Sequence, residues 1–96
     1  MIASFKDRRT EELYHGRTNS RVRRIPPDVR DSALRKMDMI HAAAELGDLR
    51  TPPGNRLEAL RGGLKGFHSI RINDQWRIIF RWEGREAHDV EIIDYH

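Results

Sequence analysis

The 96-residue chain contains no cysteine, which excludes a disulfide framework, a thiolate nucleophile and a zinc site built on thiolates. No apolar run approaches the roughly 18–20 residues of a membrane span. The opening Met1-Ile2-Ala3-Ser4-Phe5-Lys6 lacks the basic segment and long apolar stretch of a signal peptide. A glycine-rich phosphate loop, a nucleophile elbow and an HExxH pair are all missing, as are internal repeats and low-complexity segments. What remains is a soluble cytoplasmic domain spanning residues 1–96, for which we expect no cofactor, no metal and no membrane association. At this length the core is thin, because a short chain buries a smaller share of its surface on folding.

Lysine is also scarce. The 18 basic residues include only Lys6, Lys36 and Lys65; the rest are arginine. A GC-rich genome produces such a bias without functional cause, whereas phosphate recognition selects the forked, weakly hydrated guanidinium. Position separates the two. Arg17, Arg21, Arg23 and Arg24 form a cluster with no acid among them, just ahead of Pro26-Pro27. A second cluster comprises Arg61, Lys65, Arg71, Arg77 and Arg81, interrupted by Asp74. The net charge of +3 conceals a split, since the sequence gives residues 1–56 a charge of +4 and residues 57–96 a charge of −1. Two basic patches on so small a domain point to a polyanionic partner, most simply nucleic acid.

Ile2 to Phe5 reads as a short strand, Glu11 to Tyr14 as a short helix closed near Gly16, and Arg17 to Ile25 as a polar connection. Pro26-Pro27-Asp28 supplies a helix start, with proline in the first turn and an acid near the positive end of the dipole. Val29, Ala33, Met37, Ile40 and Ala44 then recur at helical spacing, predicting an amphipathic helix that ends near Gly47. After the loop Thr51-Pro52-Pro53-Gly54-Asn55 the period becomes alternating. His68, Ile70 and Ile72 share one face of a strand; Trp76, Ile78, Phe80 and Trp82 one face of the next; Val90 and Ile92 one face of a third. Arg56 to Leu60 adds a shorter strand ahead of them. The order predicts an α+β domain, with an N-terminal strand and two helices packed on an antiparallel β-sheet.

The link between Ile72 and Trp76 fixes the register. A two-residue turn would pair Ile70 with Arg77, putting a core residue and a charge on one face. A three-residue loop, Asn73-Asp74-Gln75, pairs Ile72 with Trp76 and Ile70 with Ile78, and the apolar pattern requires this choice. Arg71 then stands directly across from Arg77, with Arg81 farther along the same face. Like charges opposite each other destabilise a sheet locally, so an anion over that face accounts for them better than folding does. Neutralisation by Asp89 or Glu91 of the last strand is the alternative. In the first reading Arg71, Arg77 and Arg81 line a phosphate-binding face with Arg61 and Lys65 at its edge. The C-terminal Asp94-Tyr95-His96 supplies an acid, a phenol and an imidazole near that face, and imidazole titrates near neutral pH. His15, His41, His68 and His88 are too scattered in sequence for a metal site.

The segments Leu57-Glu58-Ala59-Leu60-Arg61-Gly62, Ser69-Ile70-Arg71-Ile72-Asn73-Asp74-Gln75-Trp76-Arg77-Ile78 and Asp94-Tyr95-His96 resemble a HigB-type toxin of the RelE-like toxin–antitoxin ribonuclease superfamily. Met1 to Lys6 and Glu45 to Leu49 fit the same pattern, so the resemblance covers the whole chain. It implies a small RelE-like fold and a ribosome-dependent endoribonuclease that cuts messenger RNA, inhibits translation and needs no metal. It also implies a HigA-type helix-turn-helix antitoxin as partner, through which alone DNA would be contacted. The family's functional positions fall on Arg61, Arg77, Asp94, Tyr95 and His96. Lys65, Arg71 and Arg81, together with Arg17, Arg21, Arg23 and Arg24, would bind RNA or phosphate. Three positions depart from the pattern. Arg61 stands for a lysine, which keeps the charge but cannot give up a proton at neutral pH. His68 stands where the family usually has tryptophan, and Glu58 where it has a histidine; neither is counted as catalytic. A non-catalytic RNA- or DNA-binding module of this fold, or a protein-interaction domain with a basic face, is the alternative.

Overall fold

A computed structural model describes residues 1–95. Its helices are α1 (Arg8–Tyr14), α2 (Ser20–Arg23) and α3 (Pro27–Ala42), and its strands are β1 (Glu58–Ala59), β2 (Phe67–Arg71), β3 (Trp76–Glu83) and β4 (Glu86–Asp94). The four strands form one antiparallel sheet in the order β1-β2-β3-β4. This is the α+β architecture that the pattern of periods requires.

Local chemistry starts and stops each element. The Asp7 side chain accepts a hydrogen bond from the Thr10 N–H and caps α1. Gly16 closes that helix with φ of 76°, its N–H donating to the Leu13 carbonyl. Pro27 opens α3, whose Val29, Ala33, Met37 and Ile40 are buried. These pack with Leu13, Val22 and Ile25 against Ile70, Trp76, Ile78, Phe80, Val90 and Ile92 in one hydrophobic core.

The hairpin follows the apolar pattern. Ile70 pairs with Ile78 and Arg71 with Arg77, while the Ile72 N–H donates to the Trp76 carbonyl. Asn73 shapes the connection, because its side-chain oxygen accepts from the N–H groups of Gln75 and Trp76, both at 2.8 Å. Between β3 and β4 the tight turn uses Gly84 at φ of 61°.

The structure departs from expectation in four places. First, α3 stops at Ala42, and Ala43 rather than Ala44 is buried. The Asp48 carboxylate accepts from the N–H groups of Ala44 and Glu45, offering those donors an alternative to another helical turn. Second, the connection after Gly16 contains α2, capped by the Asn19 side chain, with Val22 and Ile25 buried. Third, Ile2 and Phe5 form isolated parallel bridges to Ala87 and Val90 instead of a full strand. Fourth, β4 carries a bulge. Ile79 faces Glu91 but Arg81 faces His88, so β4 has one residue more across that step, with Asp89 at φ of 54°.

Candidate active face of the sheet

The core occupies the sheet face that bears Ile70, Ile78 and Phe80. The strand register arranges the other face in three rows. Arg71, Arg77 and Ile93 form the first, Glu58, Ser69, Ile79 and Glu91 the second, and Phe67, Arg81 and His88 the third. Asp94 stands opposite Trp76 at the end nearest the first row. The Tyr95 N–H donates to the Gln75 carbonyl there, which fixes the C-terminal segment beside the hairpin tip.

The cations on this face have different partners. Arg77 sends one guanidinium nitrogen toward the Ser69 hydroxyl at 3.5 Å and lies over the Tyr95 ring, 5.0 Å from its centroid. Among the described residues it has no carboxylate partner. Arg71 is bonded to Asp74, whose side chain is 98% exposed. Arg81 is held by Asp89 at 2.9 Å and Glu83 at 2.5 Å, and these two carboxylates raise its pKa further. Asp89 neutralisation therefore occurs at Arg81, where the bulge turns that residue toward the face. Arg61 and Lys65 lie in the β1–β2 connection, where the Leu60 N–H meets the Phe67 carbonyl. That is the third-row end, about 13 Å from the first row along a strand of this length. Arg61 and Arg77 thus mark opposite ends of the face.

Asp94 accepts from the Gln75 side-chain amide at 3.1 Å. Tyr95 is 44% exposed, leaving its ring accessible beneath Arg77. His96 lies outside the described residues. Glu58, set aside at the level of sequence, shares the second row with Ser69. Applying to β1 the parity argument used for the hairpin would have revealed this. His68 faces the core side, its ring stacked on Phe80 and its Nδ1 buried with no hydrogen-bond partner among the described residues.

The N-terminal cluster divides similarly. The Arg21 guanidinium grips Glu12 through two nitrogens at 2.9 Å each, and Asn19 donates to the same carboxylate. Hydrogen bonding from Arg21 holds the Glu12 carboxyl below its ordinary pKa against the opposing effect of burial. Arg17 and Arg21 line a groove of about 690 Å³ with Arg8, Glu11, Glu12 and His15. Arg17, Arg23 and Arg24 form no ion pair among the described residues.

The fold and sequence have clear relatives. The family described as "RelE-like toxin of type II toxin-antitoxin system HigB" matches residues 3–96. "Toxin HigB-1" of Vibrio cholerae serotype O1 is 45% identical over 82 residues, covering 85% of this chain and 84% of the relative. "Endoribonuclease HigB" of Proteus vulgaris is 30% identical over 96 residues and covers both chains completely. Among solved structures, the YoeB-YefM complex from Staphylococcus aureus aligns with a TM-score of 0.62 at 14% identity, covering 100% of this chain and 98% of the other. YafQ from E. coli aligns at 0.58 and 10% identity, covering 98% and 93%. These last two show the fold alone. The family match over nearly the whole chain, together with the sequence relatives, makes this chain a member of the HigB family of RelE-like toxins of type II toxin–antitoxin systems.

Proposed function

We propose that the protein is a ribosome-dependent endoribonuclease that cleaves messenger RNA and is held inactive by a HigA-type helix-turn-helix antitoxin. DNA is contacted only through that antitoxin, and the toxin works in the cytoplasm. The carrying observation is Arg77, a guanidinium on the open sheet face with no acid on it among the described residues. The relative from Proteus vulgaris, an endoribonuclease by name, supports the same reading.

In this reading the 2′-hydroxyl attacks the adjacent phosphate in line, and no metal takes part. Arg77 offsets charge developing on the phosphate oxygens. Tyr95 stacks on a base, as aromatic side chains do with single-stranded RNA, and presents the Arg77 guanidinium. Glu58 is the proton acceptor, because it shares the face and has no cation partner among the described residues. His96 donates the proton to the leaving 5′-oxygen. Arg61, Lys65 and Arg71 extend the phosphate contacts. Arg17, Arg23 and Arg24 dock on ribosomal RNA.

The test is cleavage of a messenger on programmed ribosomes. Replacing Arg77 with alanine lowers the rate by about 10²–10³-fold, the usual effect of removing one preorganised charge stabiliser. A wild-type rate in Arg77→Ala overturns the assignment. Binding without cleavage by the unaltered protein would identify an RNA-binding module of the same fold.

A further inference from the structure

The second row contains an anomaly. Ile79 is 1% exposed although it lies on the face opposite the core. Lys6 explains its cover. The Lys6 N–H donates to the Val90 carbonyl of β4 from that strand's outer side, and the alternation that sends Phe5 into the core sends Lys6 to the open face. Its ammonium is 4.0 Å from Glu91 on β4 and 5.3 Å from the Phe67 ring centroid on β2. Those residues flank β3, so the side chain arches across β3 at the level of Ile79.

Lys6 thus stands midway between the Arg71–Arg77 row and the Arg61–Lys65 connection, which are otherwise separated by the length of β2. Its side chain is 47% exposed, and its only acidic partner among the described residues, Glu91, is half-buried at the limit of ion-pair distance. We propose that Lys6 is a phosphate-binding residue of the RNA face, joining the two clusters into one continuous track for a single strand. The inference rests on the RNA-cleavage reading above and adds to it a residue from outside the sheet. Burial and the nearby Asp7 raise the Glu91 pKa.

The experiment measures binding of a non-cleavable 2′-O-methyl single-stranded RNA to the full chain across a salt series. Lys6→Met keeps a stem over Ile79 and removes the charge. We expect binding weaker by about three- to tenfold at low salt. The salt slope should fall by about 0.7, the contribution of one single-strand phosphate contact, and Lys6→Arg should restore both. Glu91→Gln, which preserves shape, should tighten binding, with no gain in the Lys6→Met background. If Lys6→Met leaves affinity and slope unchanged while Arg77→Ala weakens binding, Lys6 is only a brace and the proposal fails. If Arg77→Ala also has no effect, the RNA-face reading itself fails. Should Lys6→Met not fold, unchanged binding by Glu91→Gln overturns the proposal.

Discussion

Arg77 and Tyr95 meet as a cation over an aromatic face, 5.0 Å from guanidinium carbon to ring centroid, at the point where the last described residues pass the hairpin tip. Among the described residues this contact presents the guanidinium without an acid, so the ring should matter more than the phenol oxygen. Tyr95→Phe should retain most ribosome-dependent cleavage. Tyr95→Ala should lose about two- to fivefold, because an exposed cation–π contact of about 0.5–1 kcal/mol disappears. Equal losses in the two variants would assign the role to the hydroxyl instead.

Arg71 and Arg77 are directly opposed, a pairing that costs stability. Arg71→Thr removes the repulsion and adds a β-branched residue suited to a strand. It should raise stability by a few tenths of a kcal/mol to about 1 kcal/mol while weakening RNA binding. Thermal melting and a binding titration on the same preparation check the two directions together; a variant both less stable and equally active would contradict this account.

Glu12 provides a pH dependence. Its folded pKa lies below the ordinary value because Arg21 bonds the carboxylate. The stabilisation is therefore present above the unfolded carboxyl's pKa and is lost as pH falls through the folded one. Melting temperature should decline on the acid side, and Glu12→Gln should flatten that part of the decline. An acid limb of unchanged steepness in Glu12→Gln would locate the titration elsewhere.

Asn55 is a buried hub. Its amide donates to the carbonyls of Leu49 at 3.1 Å and Thr51 at 3.4 Å, while its oxygen accepts from Lys36 on α3. Asn55→Ala leaves two carbonyls and an ammonium without their partner, and should cost about 2–4 kcal/mol in chemical denaturation. Burial and nearby Arg35 and Arg71 lower the Lys36 pKa, so Lys36→Met should cost less. The reverse order would mean that the ammonium, and not the amide, holds the loop.

The legible parts of this fold were those set by short-range periodicity. The α3 stripe and the pairing of Ile70 with Ile78 follow from which residues avoid water, and the Arg71–Arg77 opposition follows from that register. Charge partners were less legible because they depend on geometry that alternation does not encode. The extra residue in β4 brings Asp89 to Arg81, and Lys6 reaches Phe67 from a segment 61 positions earlier in the sequence. The Arg61–Lys65 connection lies at the far end because β1 runs antiparallel to β2, a direction that a two-residue strand hardly announces. The place of Glu58 on the open face follows from strand parity with Ser69, which a family pattern by itself does not convey.

The bridges from Ile2 to Ala87 and from Phe5 to Val90 also order events during synthesis. A chain made from its N-terminus holds residues 2–6 without their β4 partner until residues 86–94 have left the exit tunnel. Until then Lys6 has no Glu91 to approach, β3 lacks its outer neighbour, and Tyr95 is not yet present beneath Arg77. The open face of the sheet is therefore complete only once the last strand is free to take its place between β3 and the N-terminal segment.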